Sequence, residues 1–187
     1  MVSTRRRAGR KSRRDEVLAA ALSLFRAEGV MSVSPTDVGR AVDMTATAIR
    51  YHFPTTDDLL LALTDDLFDD LEAAMATYPD DPDWPDGVIP MVTDFVNVVL
   101  EHRDAALLIR QDGYLLSRPE FGGRLQEILG KIRRAITGPD PDMAATVAAV
   151  TAVGGIWRPI EVLEPEHVAD HIDQIVSVIL SGHPRRN

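Results

Sequence analysis

The 187-residue chain contains no cysteine. That excludes a disulfide framework, a thiolate metal site and a cysteine nucleophile. Lysine is scarce too, two of the twenty basic residues, a mark of GC-rich coding with no bearing on mechanism. No stretch comes near the roughly 18 to 20 apolar residues that a membrane span needs, so no membrane partner is expected. The first residues are basic but lead into no apolar run with a cleavage site. No signal peptide is therefore expected, and a cytoplasmic location is. Also missing are G-x-S-x-G, a P-loop, G-x-G-x-x-G and H-E-x-x-H, so the chain is not expected to be an enzyme or to carry a cofactor.

What is present is globular in character, 45% apolar and 26% charged, and long enough to bury a sizeable core. The net charge of −9 is unevenly spread. Residues 1–53 hold ten basic and five acidic groups, a balance of +5, and residues 54–187 hold ten and twenty-four, a balance of −14. A small cationic head on an anionic body suggests a nucleic-acid contact confined to one end.

Periodicity predicts an all-α fold of roughly nine helices. Residues 13–28 space Val17, Leu18, Ala21, Leu24 and Phe25 as one helical face, and Gly29 stops it. Ser34 suits an N-cap, Pro35 the first helical position and Asp37 the third, in a capping-box slot. That short helix ends near Ala41, and Asp43 falls at a turn where a left-handed backbone is expected. Thr45 opens a second short helix, which Pro54 ends. Thr56 starts a long one with Leu59, Leu60, Leu63, Leu67, Leu71, Ala74 and Met75 along a stripe. A loop rich in proline and aspartate follows. Further helices are expected at about 87–102, 104–117, 120–137, 142–158 and 166–181.

Two short helices joined by a tight turn form a helix-turn-helix, whose second helix lies in the major groove. The residue types suit that role. Thr45, Thr47, Arg50, Tyr51 and His52 are expected on the exposed side, with Met44, Ile49 and Phe53 seating the helix. Arg50 is placed to bond guanine O6 and N7 or to clamp a phosphate. Thr36, Thr45 and Tyr51 are expected to reach phosphates.

The runs Asp37-Val38-Gly39-Arg40-Ala41-Val42-Asp43-Met44-Thr45 and Ala48-Ile49-Arg50-Tyr51-His52-Phe53-Pro54, followed by Leu59, resemble the TetR (tetracycline-repressor-like) family, over about residues 13–65. The resemblance implies a DNA-binding domain over 1–55 and a helical regulatory and dimerisation domain over 56–187. It implies a homodimeric repressor on a palindromic double-stranded operator, released by a small-molecule inducer. The DNA-contacting set it implies is Arg10, Arg13, Ser34, Thr36, Thr45, Ala46, Thr47, Arg50, Tyr51, His52 and Thr56. The sequence departs from the family's pattern at Asp43, where glycine is usual, at Arg50, where tyrosine is usual, and at Thr56, where lysine is usual. Asp57 and Asp58 follow Thr56 and place acids near the DNA, an expected weakening that the basic arm Arg5 to Arg14 offsets.

In the body, small residues including Ala148 and Ala152 and an apolar stripe of Val168, Ile172, Ile175 and Ile179 are expected to build a four-helix dimer interface, although a monomer could bury them alone. A ligand pocket is expected from Trp84, Met91, Phe95, Val99, Arg110, Tyr114 and Phe121, a set that equally suits core and surface. No metal site is expected: His167 and His171 have ligand spacing but no third partner, and prolines break the aspartate loop. The paired acids Asp65/Asp66 and Asp69/Asp70 are expected on one wet helix face. The competing reading is a protein-binding module whose acidic body docks a basic partner, which leaves the exposed short helix without a use.

Overall fold

A computed structural model describes residues 12–181. Among these residues there are eleven α-helices and no strand, and nine of the helices have seven residues or more. The described residues divide into two compact units, one ending at Leu63 and the other beginning at Thr64. The division falls eight residues later than the expected 55/56 boundary.

The head contains α1 (Arg13–Glu28), α2 (Pro35–Ala41), α3 (Ala46–His52) and the first turns of α4 (Thr56–Ala76). Each start is written in polar side chains. Ser12 accepts from the Asp15 amide while Asp15 accepts from the Ser12 amide. Ser34 and Asp37 form the same box, with Pro35 at the first helical position. Thr55 and Asp58 form a third, their two bonds being 2.8 and 3.2 Å. Each box satisfies two amides that the helix itself leaves unpaired. Between α2 and α3, Asp43 adopts φ 54° and the Met44 amide donates to the Gly39 carbonyl at 2.9 Å. A β-carbon on Gly39 would lie 2.9 Å from the Met44 carbonyl oxygen, so the tight turn requires glycine there. Val17, Ala21, Phe25, Val38, Ile49 and Phe53 form the core of the head.

The body contains the rest of α4 and then α5 (Val88–Glu101), α6 (Arg103–Gln111), α7 (Gly113–Ser117), α8 (Arg124–Thr137), α9 (Met143–Val162), α10 (Pro165–Ala169) and α11 (Ile172–Ser181). Its core gathers Leu67, Phe68, Leu71, Met91, Phe95, Val99, Ile132, Ile156, Trp157 and Val176. Three expected helices differ in extent. The 104–117 helix breaks at Asp112, whose carboxylate caps a new start by accepting from the Tyr114 and Leu115 amides. The 142–158 helix runs through Pro159 to Val162. Arg103 supports that extra turn by donating to the carbonyls of Ile160 and Leu163 at 2.9 and 3.1 Å. The 166–181 helix divides at Asp170–His171, where the His171 ring Nδ1 bonds the His167 carbonyl at 2.9 Å. That side-chain bond competes with the backbone ladder. By length and composition α9 is apolar enough to cross a membrane, contrary to expectation. Its Ala149, Val153, Ile156, Trp157 and Ile160 are buried in the body.

Candidate nucleic-acid interface

Helix α3 is short because its ends are both fixed. Thr45 Oγ1 accepts from the Ala48 amide at 3.2 Å at the start, and Phe53 precedes Pro54 at the end. Ile49 and Phe53 are both buried, and these two seat α3 in the head. The opposite side is solvent. Thr45, Thr47, Arg50, Tyr51 and His52 are all exposed, and Ala46 is half-buried. Tyr51 is 84% exposed, an unusual position for a large aromatic with no role in the core. Its ring meets the edge of His52 with centroids 5.1 Å apart. Arg50 has no hydrogen-bond or ion-pair partner among the described residues, so its five donors face water.

Other expected contacts are committed elsewhere. The Ser34 hydroxyl donates to Asp37 at 2.6 Å, and Asp37 also takes Arg40 at 3.0 Å. These bonds hold the Asp37 carboxyl below its ordinary value, the Ser34 hydroxyl being the largest cause. The Thr56 hydroxyl is turned inward to the Val33 carbonyl at 3.3 Å. Arg13 pairs with Glu16 at 2.7 Å and donates to the Val42 carbonyl at 3.2 Å, tying α1 to the end of α2. Arg14 sits over the Phe53 ring, 5.8 Å from its centroid. Thr36 is half-buried, and Arg10 lies outside the described residues. Asp58 is a capping carboxylate that accepts from Thr55, which accounts for an acid at that position. The second and third capping boxes flank the helix-turn-helix. The Thr55 box went unforeseen, although T-x-x-D spells it.

Residues 17–63 match the family described as bacterial regulatory proteins, tetR family. The head thus carries the N-terminal region of the tetR-family model, and the chain is similar to TetR-family regulators. An HTH-type transcriptional regulator of Saccharopolyspora erythraea is 27% identical over 150 residues, covering 77% of this chain and 61% of that protein. The match thus spans about three fifths of the relative's length. A TetR/AcrR-family transcriptional regulator from Thermobifida fusca is 25% identical with a TM-score of 0.56, covering 94% of this chain and all (100%) of that one. The TetR-family regulator PfmR of Thermus thermophilus is 17% identical with a TM-score of 0.69, covering 95% and 100%; it shares the fold.

In the body, the expected pocket is filled. Met91, Phe95 and Val99 are fully buried and Phe121 is nearly so. Of the expected set only Val99 borders the nearby cavity, which measures about 10 Å³, room for a single water at most. Trp84 is half-buried, while Arg110 and Tyr114 are exposed. Tyr114 accepts from Arg118 at 2.7 Å. The expected dimer stripe is also mostly internal. Val168 is wholly buried and Ile172, Ile179 and Ala152 are 8 to 9% exposed, leaving Ile175 and Ala148 half-buried. An open groove of about 750 Å³ runs along α9 and α11, and four of the expected dimer residues, Ala148, Ala152, Ile175 and Ile179, line it together with Gly155 and Val178. The other two, Val168 and Ile172, supply part of the body's own core. The α4 acids divide. Asp65, Asp69 and Glu72 converge on Arg124 at 3.8, 3.1 and 2.6 Å, and Asp70 bonds His102 instead. Arg124 also stacks over Phe68 at 4.6 Å.

Proposed function

We propose that this chain is a homodimeric repressor of the TetR type that places α3 in the major groove of a palindromic operator. The observation that carries the reading is the division of α3 into a buried seat, Ile49 and Phe53, and an exposed, chemically diverse face, Thr47, Arg50, Tyr51 and His52. A guanidinium without a protein partner suits bidentate recognition of guanine, and hydroxyls at the helix start suit phosphates. The +5 balance of residues 1–53 supplies the attraction for the polyanion, which the acidic body alone would repel.

The dimer face of this reading is the α9–α11 groove. Val147, Val150, Leu163 and Val178 are exposed, at 58, 53, 43 and 70%, while Gly154 and Gly155 meet no neighbouring atom where a side chain would stand. A second copy covers that surface and lets helices approach closely. Release by a small molecule follows from population shift. A drug-sized ligand needs roughly 300 to 1,000 Å³. Binding therefore selects a body conformation with an opened interior, whose paired heads no longer match their half-sites.

Selection of bound duplexes from a random pool tests the proposal. The expected winners are palindromes with half-sites roughly 34 to 36 Å apart. Arg50→Ala is expected to cost about 1 to 3 kcal/mol and relax one base position. Winners without two-fold symmetry, or none better than random DNA, contradict the reading.

A further inference from the structure

Three side chains from two parts of the body converge on one point. Asp70 of α4 meets Glu101 and His102 at the corner between α5 and α6, and one ligand-capable atom from each lies within 4.8 Å of the others. His102 Nε2 is 2.8 Å from Asp70 Oδ2. The His102 side chain is 19% exposed and that of Asp70 56%, so the ring is held in place while the carboxylates can swing.

The partial charges of the α5 C-terminus and the α6 N-terminus, which meet at His102, oppose one another, which leaves one feature of the corner to favour a cation. Arg124 neutralises Asp65, Asp69 and Glu72, whereas Asp70 pairs with His102. The donor set is one imidazole nitrogen and two carboxylate oxygens. Calcium and magnesium favour all-oxygen shells, and copper(I) favours thiolates and thioethers. A nitrogen with two oxygens suits zinc and its neighbours, whose bonds of 2.0 to 2.2 Å set ligand atoms roughly 3.3 Å apart. Small side-chain rotations bring the three atoms to that spacing.

We propose that Asp70, Glu101 and His102 form a divalent transition-metal site, with its remaining positions open to water, that pins α4 to the α5–α6 corner. The metal takes Nε2, so a neutral ring carries its proton on Nδ1, and a charged ring releases one proton to solvent.

The test is a titration of the full, metal-stripped chain with zinc ion against a chromogenic chelator, with thermal unfolding followed in parallel. One saturable site per chain is expected, with a melting temperature that rises as zinc is added. Since loss of a supporting partner already costs about 10- to 100-fold in affinity, His102→Ala and Glu101→Gln are each expected to weaken binding at least tenfold. The His167→Ala/His171→Ala double variant is expected to bind as the parent does. Glu101 is exposed, so Glu101→Gln remains informative should His102→Ala fail to fold. Absence of saturable binding, an unchanged affinity in Glu101→Gln, or loss of binding in the His167/His171 variant overturns the site.

Discussion

Polar side chains act over different distances within the head and within the body. At three helix starts of the head, Ser12, Ser34 and Thr55 bond a partner three residues on. The body uses local caps as well, at Asp112 and Asp142, but its fasteners span the chain. Arg124 reaches Glu72 across 52 positions, Lys131 reaches the Met75 carbonyl across 56, and Arg103 reaches the Leu163 carbonyl across 60. The head has two lighter counterparts, Arg13 to Val42 and Thr56 to Val33. A unit framed by local bonds keeps its surface side chains available for a partner, as Arg50 and Tyr51 are. A unit tied by distant bonds uses its charged groups internally, and the α4 acids show this.

Four comparisons sharpen or break that contrast. The largest effect is expected at Gly122 in the body. A β-carbon there would overlap the Leu116 carbonyl oxygen, a backbone atom with nothing flexible to yield. Gly122→Ala is expected to exceed the ~3 kcal/mol upper range of overpacking in denaturant unfolding. Gly39→Ala in the head, at 2.9 Å from a carbonyl oxygen, is expected to cost about 1 to 3 kcal/mol. The reverse order would show that the head is the more tightly determined unit.

Next comes Lys131. Its Nζ donates to the Met75 and Tyr78 carbonyls at 2.9 and 2.8 Å, closing the end of α4. Lys131→Met is expected to cost about 1.5 to 3 kcal/mol, the range for charged hydrogen bonds. Amide exchange should rise at the end of α4 and leave α1 to α3 unchanged. Ser34→Ala and Thr55→Ala are expected to cost about 1 kcal/mol each, with faster exchange confined to the head. A cap loss that loosens the body to the same degree would break the contrast.

The smallest effect is a pH dependence of the body. Tyr78 donates to Asp94 at 2.5 Å. Burial, and then this bond to a carboxylate, push its phenol up to about 12. The raised value means the fold favours the neutral phenol. Its contribution is complete below the ordinary value of 10 and is lost as pH rises towards 12. Unfolding measured across that window is expected to show the decline in the parent chain and a flatter one in Tyr78→Phe.

The same contrast explains what could be read from the chain alone. Ser34, Pro35 and Asp37, the left-handed turn at Asp43, the Thr45 cap and the stop at Pro54 are all local signals, and the head's helices follow them. The turn added to α9 was not legible, because it rests on Arg103 sixty residues earlier. The division of the α4 acids was not legible either, since nothing near Asp69 or Asp70 announces Arg124 or His102. Amphipathic spacing in α10 and α11 gave the apolar stripe but not its division between the interior and the open groove. Val168 and Ile172 are needed by the body's own core, and periodicity alone does not separate an internal partner from an external one. The same limit applies to the expected pocket residues, of which Met91, Phe95 and Phe121 are buried in the body's interior.

The account turns on α3 carrying a salt-sensitive, sequence-reading surface on the cationic head. Its most direct test is the affinity of the full chain for its selected duplex and for a scrambled one, measured as salt is raised, for the parent and for Arg50→Ala. The expected result is a linear fall of log affinity with log salt, with several counterions released, and a preference for the selected duplex that Arg50→Ala reduces. An affinity indifferent to salt, or equal for both duplexes in the parent, would contradict it.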